Sequence, residues 1–435
     1  MNVEEVLGKI EDAKLRWIVL QYTGINGQLY NFHVNAIQFN KDSFERGYTI
    51  PNPNEFAEEK EITLVPEVET YSLIPWIEGV GRLICSEKEN NFNDCRMILK
   101  RCSDLFQKEE IIPFVGSSLD FFLLDSLNYS ELQTSNSLVV ESVEANNPNS
   151  NQPYSLTTKN SLLVSSPEDK SEPIRLQIAD SLEQFFNVTV EKHYHGVGIG
   201  KNTLVLGFRQ PLSMADNLIT AKYAAKNICI LNNKICSFMP KLLKDVKGNT
   251  LRLTFSLFKK DNNLFAKNQE VAEYFLSGIV EHIKSIMAFT NPTLNSYKRI
   301  KLDKISFSIQ AKNKESFINI PTFYSDKEMR IELNFPDTSV NPYLAISVIL
   351  LAGLDGIKKK KKIVSFVKNK IEIEKEPEIP QTLNNALEEL LIDNSYLKNA
   401  FTKEFLELYA EMKSNEIKEG ISDISNSDYK KYLNI

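Results

Sequence analysis

Several things are scarce in this chain of 435 residues. Its five cysteines (Cys85, Cys95, Cys102, Cys229, Cys236) are odd in number and nowhere spaced C-x-x-C. That excludes a disulfide framework and a zinc ribbon, and predicts free, mostly buried thiols. Cys229 and Cys236 share a helical pattern, which reads as core rather than as a metal pair. Positive charge is not in excess: the net charge is −6, so no global field exists to gather phosphates and nucleic acid is not an expected partner. The single basic run, Lys358–Lys362, follows a helix C-terminus, where lysines complement the macrodipole, and reads as a solvated helix end. The longest apolar run, Tyr343–Leu354, is too short for a bilayer and predicts a buried helix, not a membrane protein. Met1-Asn-Val-Glu-Glu carries no basic or apolar leader pattern, so a cytoplasmic location is expected. Internal repeats and heptads are absent as well.

What is present is an ordinary globular composition, 42% apolar and 25% charged, long enough for domains of unequal size. Residues 1–100 mix short alternating strands (Leu15–Tyr22, Gly27–His33, Leu83–Cys85) with turns at Asn26-Gly27 and Pro51-Asn-Pro-Asn54, predicting a small α+β domain with a hairpin. An amphipathic helix over Asn91–Lys108 opens a larger α+β domain, 101–435. Residues 126–173, rich in Ser, Asn, Thr and Pro, are expected to be an irregular surface insertion. After it the pattern predicts helix Ile174–Phe186, strands Val188–His195 and Thr203–Phe208, and a long helix opened by a capping box at Ser213-Met-Ala-Asp216. Strand Thr250–Phe258, helix Val271–Thr290, and strands Lys304–Gln310 and Ser316–Ile320 follow. Two helices, Gln381–Asp393 and Tyr396–Ile417, are expected to end the chain.

The most informative stretch is Arg330-Ile-Glu-Leu-Asn-Phe-Pro-Asp-Thr-Ser-Val-Asn-Pro-Tyr-Leu-Ala345. Alternation puts Met329, Ile331, Leu333 and Phe335 on one strand face and Arg330, Glu332 and Asn334 on the other. Asn341-Pro342 supplies an N-cap and a proline at the first helical position.

Together with Phe238-Met-Pro-Lys241, Asn263-Leu-Phe-Ala266, Asn291-Pro-Thr-Leu-Asn-Ser-Tyr-Lys-Arg299, Leu354-Asp-Gly-Ile357, Asp120-Phe-Phe-Leu-Leu-Asp125, Gln21-Tyr-Thr-Gly-Ile-Asn-Gly27 and Pro75-Trp76, this stretch resembles the glutamine synthetase family over nearly the whole chain. The resemblance implies an N-terminal β-grasp-like domain and a catalytic-type domain with a curved antiparallel sheet flanked by helices. It also implies stacked rings, usually a dodecamer, with ATP and glutamate meeting over two divalent metals, and arginines neutralising phosphate.

Residue by residue, the resemblance is incomplete. The family's Glu-x-Glu pair is Ser118-Leu-Asp120 here, and two further glutamate positions hold Gly196 and Thr203. The His-x-His-x-Ser strand is Arg252, Thr254 and Ser256, so a metal-binding imidazole gives way to a guanidinium that cannot ligate a cation. Two anion-binding arginines become Lys314 and Asn319, and Asn334 stands where a further arginine belongs. The ammonium-site loop is replaced by Pro51-Asn-Pro-Asn54, and the flap after Arg299 has Asp303 as its only acid. Gly248 and Arg299 match substrate-side positions, Ser256, Lys327 and Arg330 nucleotide-side ones, and Asp120 and Glu332 metal ligands. Arg252 is expected to take a lost metal's place and pair with Glu332, with Asp120 as a second partner, the alternative being a side chain that swings to solvent; Arg299 and Arg330 are read either as binding residues or as structural ion pairs. His193-Tyr-His195 puts two imidazoles on one strand face, a zinc pattern that lacks a third ligand in the nearby sequence.

The implied function is an inactive glutamine-synthetase-like scaffold requiring no cofactor, forming rings alone or with an active paralogue. The alternative is an ATP-dependent carboxylate–amine ligase using Mg²⁺ and ATP. A third reading is a nucleotide- or amino-acid-sensing module.

Overall fold

The computed structural model describes residues 1–54, 60–88, 93–132, 135–145, 156, 161–300, 306–309, 316–321, 325–367, 370–374, 376–422 and 427–435. Helix α1 (Val3–Asp12) is opened by a capping box between Asn2 and Glu5 and lays Val6 and Ile10 onto a first sheet. Strands β1 (Trp17–Thr23) and β2 (Leu29–Asn35) make the expected hairpin. Helix α2 (Lys41–Glu45), then β3 (Tyr48–Pro51), β4 (Glu61–Pro66), β5 (Ser72–Leu73) and β6 (Val80–Glu87), complete the unit. The sheet runs β2-β1-β6-β4-β3, with β5 also on β6, and β1 and β6 are parallel.

Helix α3 (Cys95–Lys108) and strand β7 (Ile112–Leu124) begin the second part. Strands β8 (Ser126–Leu132) and β9 (Ser135–Glu141) pair as a hairpin, followed by α4 (Glu172–Phe186), β10 (Val190–His195), β11 (Lys201–Arg209), α5 (Pro211–Leu231), β12 (Ile235–Ser237), β13 (Leu251–Lys259) and β14 (Asn262–Asn263). Then come α6 (Leu264–Lys267), α7 (Gln269–Glu281), α8 (Ile283–Thr290), α9 (Leu294–Arg299), β15 (Phe307–Ile309), β16 (Ile318–Ile320), β17 (Ile331–Leu333) and α10 (Pro342–Lys359). A small hairpin, β18 (Val364–Val367) and β19 (Lys370–Ile373), precedes α11 (Leu383–Ile392), α12 (Lys403–Ser422) and α13 (Ser427–Tyr432). The large sheet runs β10-β11-β7-β13-β17-β16-β15, mostly antiparallel, with helices packed on its apolar side. This is the expected α+β architecture.

Helix α10 shows how sequence builds the core. Asn341 accepts from the Tyr343 and Leu344 amides and Pro342 needs no donor partner, so the helix starts without an orphaned N–H there. From Pro342 to Leu354 every residue is buried. The lysines at its end pair outward: Lys358 with Glu109, Lys359 with Asp355, Lys361 with Glu281 and Lys362 with Glu270.

Arg96 of α3 ties the first unit to helix α5. Its guanidinium donates two bonds of 3.0 Å to Asp216 and lies 2.9 Å from Glu67, while Tyr343 donates to Asp216 at 2.7 Å. Asp216 therefore does not serve in the predicted capping box. Helix α5 instead starts at Pro211 after Gln210, with no side-chain cap, because proline's fixed φ initiates it earlier.

Three further expectations need correction. Residues 126–173 contain the β8–β9 hairpin, and Glu144, Ser161, Asp169 and Ser171 are buried; polar composition here reflects internal hydrogen bonding as well as surface. The helix expected over Val271–Thr290 is split into α7 and α8 at His282, whose ring is drawn to carboxylates on neighbouring helices. The C-terminal pair of helices is followed by α13, whose Tyr432 joins an apolar cluster with Phe122 and Met239. All five cysteines are free, and all but Cys236 are buried.

Candidate functional site

The polar face of the large sheet is assembled by register. Thr203 of β11 stands opposite Asp120 of β7, Ser118 opposite Arg252 of β13, and Thr254 opposite Glu332 of β17, which faces Asn319 of β16. Residues opposite one another in a ladder point to the same side, so these side chains share one surface.

Asp120 is enclosed. Thr203 Oγ1 donates to its Oδ1 at 2.9 Å, the Thr250 amide donates to Oδ2 at 3.2 Å, and Lys201 Nζ lies 3.5 Å from Oδ2. Lys201 is only 2% exposed; its ammonium donates to Gly248 O at 2.9 Å and Asn249 Oδ1 at 2.5 Å, and sits 4.7 Å above the Phe122 ring. Burial pulls its pKa down to about 8, with Asp120 opposing the shift. Sequence reasoning passed over Lys201. Its place two residues before Thr203 puts it on the same strand face, but nothing in the sequence sets a buried lysine apart from a solvent-facing one.

Glu332 is held differently. Asn319 Nδ2 donates to Oε2 at 2.9 Å, Arg252 Nη1 is 3.9 Å from that oxygen, and Arg330 Nε is 3.5 Å from Oε1. The closest bond of Arg252 is from Nε to Asn334 Oδ1, at 2.7 Å. Asn334 thus anchors the Arg252 guanidinium. Arg252 approaches Glu332, but Asp120 has its own cation in Lys201.

The remaining predicted residues are placed as follows. Ser256 Oγ donates to Met329 O at 3.0 Å and accepts from Asn263 at 3.1 Å, inside the fold. Arg330 donates to Glu328 O at 3.0 Å, and Lys327 lies in an exposed turn. Arg299 donates to Phe335 O and, at 3.4 Å, to Thr250 Oγ1, with Nε unpartnered and no ion pair among the described residues. A Cβ on Gly248 would stand 2.3 Å from Pro240 O and 2.7 Å from Arg299 Cγ, so only glycine lets the two segments meet. At Gly196 a Cβ would meet Lys201 Cγ at 2.7 Å. Lys314 and Asp303 lie outside the described residues.

A hard divalent cation takes six or more oxygen ligands, with carboxylates balancing its charge. Among the described residues, the sheet face offers two carboxylates on separate strands, each already beside a protein cation. Among the described residues, the His/Asp/Glu groups close enough to share an ion are Glu144–Asp169–His195 and Glu281–His282–Asp355. Neither includes Asp120 or Glu332. The described residues do not fit the pair of divalent metals that the resemblance implies.

The first of those clusters is closed. His195 Nδ1 lies 2.8 Å from Ser161 O and Nε2 lies 3.0 Å from Glu144 Oε2, which also accepts from the Gly200 amide. Glu144 Oε1 accepts from Ser171 Oγ at 2.6 Å, and Asp169 is held by Arg175. Burial opposes charge on both partners, but their mutual bond outweighs it, raising the His195 pKa and lowering that of Glu144. The third partner that His193-Tyr-His195 lacked in the nearby sequence is Glu144, while His193 stays apart with Nδ1 unpartnered.

A family model described as the glutamine synthetase catalytic domain matches residues 92–432. The chain is 30% identical over 452 residues to a glutamine synthetase of Sulfolobus acidocaldarius, covering 96% of this chain and 95% of that protein. It is 29% identical over 451 residues to one of Escherichia coli K12, covering 96% of each. The cryo-EM structure of Plasmodium falciparum glutamine synthetase superposes with a TM-score of 0.89 over 99% of both chains at 24% identity, a likeness of fold.

Proposed function

The chain belongs to the glutamine synthetase family, and from that premise we propose a protein that keeps the fold of an ATP-dependent carboxylate–amine ligase while its sheet face has replaced metal chemistry by internal ion pairs. The observation that carries this reading is the pairing of each surviving metal-type carboxylate with a side-chain cation: Asp120 with Lys201, and Glu332 with Arg252 and Arg330. A fixed guanidinium or ammonium restores charge balance but cannot accept a lone pair from a phosphoryl oxygen, so Lewis-acid activation is lost. Arg299, Lys327 and Arg330 would leave the face able to attract anions. The role is then structural or regulatory, in stacked rings of this chain or together with an active paralogue, in the cytoplasm. Residues 1–100 would form the small domain and 101–435 the catalytic-type one. No described helix is long and apolar enough to cross a membrane.

A second reading, an active ligase using Mg²⁺ and ATP, is favoured by a specific observation: curated relatives named glutamine synthetase align over 96% of the chain. The deciding experiment is Mg²⁺-dependent ADP release with glutamate and ammonium, then with a panel of larger amines. The scaffold reading expects no release above a no-amine control; robust turnover with any amine replaces it by the ligase reading. Calorimetry with ATP, glutamate and glutamine distinguishes a silent scaffold from one that senses ligands.

A further inference from the structure

The break between α7 and α8 places His282 where three helices converge. Its side chain is 5% exposed, and its ring stacks on Tyr396 with centroids 4.2 Å apart. Nδ1 lies 2.8 and 3.0 Å from the two oxygens of Asp393, the residue that ends α11, and Asp393 also accepts from Ser285 at 3.2 Å. Nε2 points the other way, 3.2 Å from Asp355 Oδ2 on α10 and 3.7 Å from Glu281 Oε2.

The second oxygen of each carboxylate is already engaged. Lys359 lies 2.8 Å from Asp355 Oδ1, and Lys361 holds Glu281 Oε1. Oδ2 and Oε2 are therefore the carboxylate oxygens left beside Nε2, while the lysines hold the other oxygen of each. Tetrahedral zinc with bonds of about 2.0–2.2 Å sets neighbouring donor atoms about 3.3 Å apart. The two separations from Nε2, 3.2 and 3.7 Å, bracket that edge, and all three atoms lie within 4.8 Å of one another. The Asp393 contact on Nδ1 is the outer-shell bond that fixes the tautomer of a metal-binding imidazole and presents Nε2 as the ligand.

We propose that Glu281, His282 and Asp355 form a binding site for one Zn²⁺, with Nε2, Oε2 and Oδ2 as protein ligands, water in the fourth position and Asp393 as the positioning residue. Nδ1 faces Asp393 while Nε2 faces Asp355 and Glu281, so an ion on Nε2 takes the place of any proton there, which passes to the buffer. The ion then crosslinks the α7–α8 junction to α10. The site lies outside the sheet face, so it stands or falls independently of the ligase question.

The test uses tag-free full-length protein, stripped with chelator and titrated with Zn²⁺ alone. Zinc content after buffer exchange and calorimetry in two buffers of different ionisation enthalpy are read for the wild type, Asp355→Asn, His282→Gln, Glu281→Gln and a His193→Gln control. One zinc per chain is expected in the wild type and control, with about one proton released. Loss of one ligand should weaken binding at least tenfold. Should His282→Gln fail to fold, Asp355→Asn and Glu281→Gln decide. Absence of stoichiometric zinc in the wild type overturns the proposal, and so does equal retention by the Asp355→Asn and Glu281→Gln proteins.

Discussion

Two carboxylates on one sheet face have met the same problem in different ways. Asp120 is 17% exposed beside a lysine that is 2% exposed, with backbone and hydroxyl donors closing the gap. Glu332 is 11% exposed, but its guanidinium partner Arg252 is 36% exposed and 3.9 Å away, its closest bond going to Asn334. A carboxylate can be given a counter-charge that is built into the core, or one that rests at the surface beside it. The first is costly to remove; the second should be replaceable. That distinction follows from desolvation, which penalises an unpaired buried charge far more than an exposed one.

The largest effect is expected at Lys201. Lys201→Met should destabilise the fold by about 3 kcal/mol, because Asp120, Gly248 O and Asn249 Oδ1 each lose a buried donor; urea unfolding measures it. A shift below about 1 kcal/mol would mean that Asp120 is as open as Glu332. Lys201 also predicts a pH signature. Its folded pKa is about 8 against an ordinary 10.5, so the unfolded chain binds more protons between those values and stability should rise with pH across that window. The rise should be missing from Lys201→Met, and steeper contrast is expected in Asp120→Asn, where the group opposing the depression is gone.

Next in size is the His195–Glu144 pair, a fully buried pair against which the other two can be ranked. The raised His195 pKa gives stability that is present below the ordinary value and lost as pH rises through the folded one. The lowered Glu144 pKa gives stability present above its ordinary value and lost as pH falls through the folded one. His195→Gln should therefore cost most, about 2 kcal/mol, near pH 5–6 and progressively less on the alkaline side. Thermal melts of both proteins across pH would show the two curves converging; parallel curves would remove His195 from the set of charged pairs.

The smallest effect belongs to Arg252. Arg252→Ala should change stability by less than about 1 kcal/mol and lose even that in high salt. A change as large as that of Lys201→Met would erase the contrast between the two carboxylates.

How much of this could be read from the sequence depended on whether local rules agreed with the fold. The strand at Arg330–Asn334 and the cap at Asn341-Pro342 were legible because periodicity and capping chemistry point the same way there. The shared face of Ser118, Asp120, Thr203 and Arg252 was legible only through the family resemblance, because pairing between distant strands leaves no periodic signal within any one of them. Lys201 was not, since a lysine in a strand reads as solvent-facing until its partners are known. Glu144 was hidden in a stretch whose polar composition suggested a loop, though its oxygens are fully bonded inside. The break at His282 was invisible because the apolar pattern continues across it and the attracting carboxylates come from elsewhere in the chain.

The hairpin tip at Gly27 has a consequence in time. Gly27 adopts φ +83, and a Cβ there would lie 3.2 Å from the Asn341 backbone. Asn341 caps α10 with its side-chain oxygen while its amide donates to Gly24 O at 3.0 Å, bridging 317 positions of sequence. During synthesis at about 5–20 residues per second, the hairpin would emerge well before the helix it docks on exists. Ile25, which ends 4% exposed, would spend that interval in water or under a chaperone. The amino-terminal hairpin must therefore be durable on its own, or guarded, until the last quarter of the polypeptide arrives to cover its tip.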